Sequence, residues 1–287
     1  MPCVEPVRDA AAVWDIAVPE RPSRVAGVSM AAFRGRTKSL VEMQVIPYPA
    51  LTLFLDFGDG LLVDDVSGRG ARGAIVAGLS LGGVRGSGRD IDCLQVRLSP
   101  TVAHAVLGAS AELSGAVVDL EELWGRDAVR IRERLNATRS RADRFAIAEA
   151  ALARRHETGP AVDPEIAYCW ERMTLSRGRI RVERLADEVG WSRKRLWTRF
   201  RSQVGLAPKS AAKLIRFDYA AHRLAAGHSV AAVAADSGYA DQAHLHRDVV
   251  AFAGVTPTVV AVAPWLAVDD VAWTGAGQAR PNRRSWS

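Results

Sequence analysis

The sequence predicts an α+β protein. A small β-barrel or sandwich with following helices comes first, and an all-α segment of two helix-turn-helix units joined by a connecting helix comes second. Three observations carry that reading. Residues 21–98 hold short apolar runs separated by Gly, Pro, Asp and Ser clusters at roughly ten-residue intervals, the texture of a small all-β unit. From Ser99-Pro100 onward the apolar spacing becomes helical. Two stretches, starting at Val182 and Val230, repeat one order of features: apolar helix, Gly-aromatic break, polar-capped helix, Gly, Pro.

Length and composition set the bounds. A chain of 287 residues has room for about two domains, each with its own core. Its hydrophobic and charged fractions, 48% and 24%, are those of an ordinary globular protein rather than a disordered or fibrous one. The net charge is +6, and residues 164–265 contain fifteen Lys and Arg against nine Asp and Glu. The whole excess therefore lies in that segment, which is where an anionic partner would be expected. Cys3, Cys93 and Cys169 are scattered, without CxxC spacing, so neither a disulfide framework nor a zinc site is expected and a cytoplasmic location fits. Glu5 and Asp9 interrupt the start of the chain, which does not read as a signal peptide. Val249–Val268 carries no charge, but Gly254, Pro257 and Pro264 break it. It reads as two short buried segments around a turn, and no membrane partner is expected.

Taken in order, residues 1–20 form a lead-in without clear period. Strands are expected at Val25–Met30, Leu40–Ile46, Leu51–Phe57, Gly60–Val66, Ile75–Leu81 and Asp92–Leu98. Gly58-Asp59-Gly60 has the composition of a hairpin turn. The glycine-rich run from Gly82 to Gly88 lacks the Lys-Ser/Thr and the helix of a phosphate loop and reads as a flexible hairpin end. Ser99 can cap a helix with Pro100 in its first turn. Further helices follow at Asp119–Trp124, Ala128–Asn136 and Asp143–Arg155, and Arg130, Arg132, Glu133 and Arg134 belong to a solvated face. Gly159-Pro160 marks a boundary, and Asp163-Pro164 reads as a cap and first-turn Pro. The domains are thus 21–156, a linker at 157–163, the double helix-turn-helix at 164–265, and a disordered tail at 266–287.

The two copies of the repeat correspond residue by residue. Leu185-Ala186 corresponds to Val233-Ala234, Gly190-Trp191 to Gly238-Tyr239, and Leu196 with Phe200 to Leu245 with Val249. The small Ala186 and Ala234 allow close helix approach, and each Gly allows a tight turn. Within Ser192–Arg201, Leu196 and Phe200 point to one side of a helix, while Lys194, Trp197, Thr198 and Arg201 point to the other. Pro208 to Ala226 has helical period and is stopped by Gly227. Such a connector is about 28 Å long, against about 34 Å for one turn of B-DNA. It could hold two readers over successive major grooves.

Residues 164–262 resemble the DNA-binding domain of the AraC/XylS family of bacterial transcription regulators. The shared pattern runs through Ala186, Gly190, Ser192, Leu196 and Phe200, then Gly205 and Pro208, Arg216, Ala220 and Ala221, and finally Gly254, Thr256 and Pro257. The match covers about a third of the chain. Departures fall mostly in the second unit: Val249 where an aromatic is usual, Val250 where a basic residue commonly follows, and Val260-Ala261 in place of Tyr-Arg. Thr198 stands where Arg is frequent. More weakly, the first domain is similar to the family's cupin-like effector domains, which bind a small molecule, mediate dimerisation, or both. The metal site of cupin enzymes needs a His-x-His pair and a Glu. Here only His104 and His156 are present, outside the strands, so neither metal nor cofactor is expected.

The resemblance implies sequence-specific transcriptional regulation, with double-stranded promoter or operator DNA as partner. It leaves room for a small-molecule effector, a homodimer and contact with RNA polymerase. The DNA-facing residues are expected to be Ser192, Arg193, Lys194, Trp197, Thr198 and Arg201 on the first helix. On the second they are Gln242, Ala243, His246 and Arg247, with Asp241 as cap. Lys194 and Thr198 can reach base edges, and Arg193 and Arg201 are placed for phosphates. Trp197 either packs on a thymine methyl or sugar or covers the core beside Trp191. His244 and His246 diverge on a helix and cannot share a metal, and His222 and His228 are expected at the surface. Two other classes compete. One is an enzyme, either a β-barrel catalyst or a DNA-repair alkyltransferase using Cys93, fused to a DNA-binding module. The other is a purely architectural DNA binder.

Overall fold

The computed structural model describes residues 13–36, 40–58, 61–65, 67–108 and 111–273. Strands β1 (Trp14–Ala17), β2 (Val28–Gly35), β3 (Val41–Val45), β4 (Leu51–Asp56) and β5 (Leu62–Asp64) lead the chain. They are followed by β6 (Gly70–Arg72), β7 (Ala74–Ala77), β8 (Val84–Gly88), β9 (Asp92–Leu98) and, after a helix, β10 (Val117–Asp119). These form a six-stranded sheet ordered β1-β2-β9-β4-β7-β10 and a four-stranded sheet ordered β3-β8-β5-β6. Every pairing is antiparallel.

Strand alternation divides the six-stranded sheet between two cores. Met30, Ala32, Leu53, Leu55, Val76, Leu94 and Val96 face the helices. Ala31, Phe33, Phe54, Ile75, Ala77 and Cys93 face inward with Leu61 and Val63 of the smaller sheet. With both faces covered, β4 is buried along Leu51–Leu55, which is why it reads as a continuous apolar run.

Four helices follow: α1 (Pro100–Leu107), α2 (Leu120–Trp124), α3 (Arg126–Asn136) and α4 (Arg141–Thr158). Ser99 caps α1, with Pro100 in its first turn, and Asp119 caps α2. Gly159 ends α4 against α1, and a Cβ there would meet the Ala105 carbonyl oxygen. The C-terminal part contains α5 (Pro164–Leu175), α6 (Val182–Glu188), α7 (Arg193–Val204), α8 (Pro208–Ala225), α9 (Val230–Asp236) and α10 (Gln242–Ala253). Two further helices, α11 (Pro257–Val260) and α12 (Pro264–Ala272), complete the described chain. Among the described residues no single helix is long and apolar enough to cross a membrane, and the uncharged stretch bends by 63° at its break.

The structure corrects several expectations. The lead-in contributes β1, whose Trp14 meets Phe33 edge-on at 6.1 Å. The supposed hairpin end at Gly82–Gly88 contains β8, paired with both β3 and β5. Glycine content hid this strand, because the run lacks the β-branched residues that mark one. The first expected strand starts three residues later than anticipated, at Val28. The turn placed at Gly58-Asp59-Gly60 lies partly outside the described residues. At the start of α5, Asp163 makes no side-chain cap. Its carboxylate instead takes both Arg199 donors at 2.7 Å, tying α5 to α7.

The largest correction concerns the end of the chain. Residues 266–273 are not a disordered tail. They belong to α12 and its cap, and Val268, Ala272 and Trp273 enter the barrel core. Asp269 binds Arg97 of β9 through two contacts, 2.6 and 3.3 Å. His222 of α8, expected at the surface, lies at the same junction. Its Nε2 is 3.6 Å from Asp269 and its Nδ1 is 3.7 Å from Asp218. His228 is exposed as expected.

These contacts make the junction pH-sensitive. Burial alone would lower the His222 pKa, but Asp218 and Asp269 outweigh it and push the group up to about 9. Burial would raise Asp269, but Arg97 and His222 hold it down near about 2. A raised histidine stabilises the fold fully below its ordinary 6.5 and loses that contribution as pH rises through about 9. The carboxylate works in the opposite sense: its contribution is complete above 3.8 and fades as pH falls through about 2. Stability should therefore drop on the order of 2 kcal/mol between pH 6.5 and 9.5. Denaturant titration of the His222→Gln variant should show that alkaline drop largely abolished. An undiminished drop would mean that another group is responsible.

Candidate nucleic-acid interface

The two reading units are built alike, down to their backbone hydrogen bonds. In the first turn Trp191 N donates to the Ala186 carbonyl at 2.9 Å. In the second, Tyr239 N donates to the Ala234 carbonyl at 3.0 Å. Gly190 and Gly238 sit at φ 65° and 73°, the left-handed region that side-chain-bearing residues rarely adopt. Polar caps then start each second helix: Ser192 accepts from Arg195 N, and Asp241 from His244 N. Both helices end on left-handed glycines, Gly205 and Gly254, each followed by a Pro-initiated helix.

The residues expected to hold these helices in place are buried. Leu185, Ala186, Leu196 and Phe200 lie in the first unit, and Val233, Ala234, Leu245 and Val249 in the second. The ten residues expected to face DNA are all exposed: Ser192, Arg193, Lys194, Trp197, Thr198, Arg201, Gln242, Ala243, His246 and Arg247. Trp197 is 45% exposed, so it does not cover the core. Instead Arg201 lies over its ring at 5.3 Å. The residue packed beside the core is Trp191, whose ring carries Arg195 at 4.3 Å. Arg195 is exposed on the same helix and did not figure among the expected contacts. Among the described residues Arg193 meets Glu183 at 3.8 Å on the surface, a contact worth little.

Charge divides unequally between the units. Helix α7 presents Arg193, Lys194, Arg195 and Arg201 among its exposed residues, whereas α10 presents Arg247 and His246. The cations near α10 are largely turned inward. Buried Asp248 draws Lys213 to 3.4 Å, Arg216 to 3.6 Å and His244 to 3.9 Å. Arg216 also lies over the Tyr239 ring at 4.7 Å, so one cluster fixes α10 and its turn on the connector α8. Sequence reasoning placed Arg216 only by family pattern. Its partner lies 32 positions away, which no local periodicity reveals. In the first unit Glu188 has the corresponding structural job. It accepts from Arg172, Arg184 and Tyr168, and the two arginines hold its carboxyl down to about 2.

Two independent lines now meet in this segment. The geometry is two helix-turn-helix units with matching turn hydrogen bonds and left-handed glycines on one 18-residue connector, and residues 185–261 match the family model for a helix-turn-helix domain. Residues 185–261 are a helix-turn-helix domain. Solved structures with related arrangements include ToxT from Vibrio cholerae O395, at 10% identity and TM-score 0.47 over 84% of this chain and 98% of that one. The C-terminal domain of AraT, a response regulator from Geobacillus stearothermophilus, aligns at 18% identity and TM-score 0.34 over 36% of this chain and 87% of that one. The AraC-like transcriptional activator CuxR aligns at 14% identity and TM-score 0.27 over 70% and 84%. No curated protein matches the chain. The helix-turn-helix assignment rests on the family model and the duplicated geometry rather than on these distant likenesses.

The enzyme alternative finds no support at its key residue. Cys93 is buried on β9, and burial with Asp56 nearby pushes its thiol well up, away from the thiolate a nucleophile requires. Cys169 is likewise buried and raised to about 11. Among the described residues no group of three His, Cys, Asp or Glu side chains is placed to hold a metal ion.

Proposed function

We propose that this protein regulates transcription by reading double-stranded operator DNA with α7 and α10 in successive major grooves. The observation that carries the reading is the pair of matching units on the rigid connector α8, each with a buried seam and an exposed polar face. Eighteen residues of helix span about 27 Å, within reach of the roughly 34 Å between successive turns of the groove. Lys194 and Thr198 supply base-edge contacts and Trp197 an apolar one. Arg193, beside Ser192 at the helix start, and Arg201, in the last turn, bind phosphate. Gln242, Ala243, His246 and Arg247 make the corresponding, less basic surface. The N-terminal domain then senses a small molecule or pairs two copies of the chain, and the exposed surface leaves room for RNA polymerase.

Selection of bound sites from random DNA tests this reading. A preferred sequence with two half-elements about one helical turn apart is expected. Recovery of unselected DNA would favour an architectural binder. Lys194→Ala should cost roughly 1–3 kcal/mol on the selected site and relax preference at one position. Unchanged gel-shift affinity together with unchanged preference would remove Lys194 from the interface.

A further inference from the structure

The barrel interior contains a cavity closed on one side by α12, a helix that follows the DNA-reading units in the chain. The cavity offers about 70 Å³ to the centres of water-sized spheres, several times the roughly 10–15 Å³ that one water needs. Its wall is apolar and aromatic: Trp14, Phe33, Met43 and Phe54 come from the barrel, and Trp265 and Trp273 from the C-terminal end. Arg97 and Asp269 are the charged residues of the wall, and they neutralise each other. Both oxygens of Asp269 are engaged by Arg97, whose guanidinium lies between the rings of Tyr48 at 4.0 Å and Trp273 at 4.2 Å. An anion entering here would meet Asp269 before it met an available cation. Displacing Asp269 would also break its contact with His222. Two buried N–H groups on the wall residues, Arg97 Nε and Trp265 Nε1, have no hydrogen-bond partner among the described residues. Buried donors of this kind call for an acceptor.

We propose that the barrel and α12 together bind an uncharged, mostly apolar molecule carrying one hydrogen-bond acceptor such as a carbonyl oxygen. This deepens the reading of the N-terminal domain as a sensor and rests on it. The site is composite: Trp265 and Asp269 belong to the segment after the second reading unit, and Asp269 reaches His222 on the connector. The ligand's contact surface is therefore continuous with the helix that carries both readers.

Calorimetric titration of the full chain without DNA separates this idea from the DNA-binding one. The probes are naphthalene, 2-acetylnaphthalene and 2-naphthoate, which share a ring system and differ in acceptor and charge. The ketone should bind at least fivefold tighter than naphthalene and at least tenfold tighter than the naphthoate. Asp269→Asn releases Arg97 and should raise naphthoate affinity at least tenfold. Trp265→Phe should weaken the ketone severalfold more than it weakens naphthalene, because only the ketone loses an acceptor contact. Gly86 lines the cavity, and a Cβ there meets nothing nearer than 3.9 Å, so Gly86→Leu should fill the space and abolish binding while leaving the gel shift intact. Naphthoate binding as tightly as the ketone, no binding by any probe, or undiminished ketone binding to Gly86→Leu would each overturn the proposal. Loss of DNA binding with the ketone affinity retained would count against the DNA reading alone.

Discussion

Asp248→Ala is expected to destabilise the DNA-reading domain by about 3 kcal/mol, the scale of removing one partner from a buried ion pair. Asp248 is buried on α10 and faces Lys213 and Arg216 of the connector and His244 of its own helix. Arg216 is the partner that suffers. Its side chain is only 16% exposed, so the lost carboxylate leaves a guanidinium away from water, beside the Tyr239 ring. Lys213, more exposed, can turn outward at little cost. The double variant Asp248→Leu with Arg216→Met should recover much of the loss, because removing both charges also removes the desolvation penalty. Urea unfolding of the single and double variants measures the difference. A single variant within about 0.5 kcal/mol of the parent would mean that apolar packing alone seats α10.

Phe200→Ala and Trp197→Ala should separate the two sides of α7. Phe200 is fully buried, with Trp170 at 6.5 Å and Leu185 and Leu196 in the same core. Truncating it should cost roughly 3–5 kcal/mol of stability, transfer and cavity contributions together. Trp197 stands three positions earlier on the same helix but points to solvent. Its truncation should change stability by no more than about 0.5 kcal/mol, while weakening DNA binding. Unfolding midpoints and gel shifts on the same two proteins give both readouts. A large stability loss in Trp197→Ala would place that ring in the core and remove it from the proposed interface.

How much of this was legible beforehand follows from the range of the interactions involved. The reading units were legible because their signals are local: a small residue where helices touch, a glycine at positive φ, a polar cap, and apolar residues four apart. Each acts within one or two helical turns, and the duplication repeats them in register. Strands β4 and β9 were legible as apolar runs. Strand β8 was missed because glycine-rich sequence carries little propensity, and it is held by its neighbours β3 and β5. Helix α12 was missed because it has no polar cap and follows a broken apolar stretch.

Local sequence is enough to specify the two readers, their buried seams, their exposed faces and the concentration of positive charge between residues 164 and 265. Tertiary structure decided which cations are available. It turns Arg216 and Lys213 toward Asp248 and Arg199 toward Asp163, while Lys194 and Arg201 stay exposed at the surface. It also decided that the chain's end closes the barrel, through Arg97 and Asp269, 172 positions apart. The physical reason is the same in both cases. A helix or turn is specified by neighbours a few residues away, whereas a charge finds its partner, and a cavity its last wall, only when distant segments have packed.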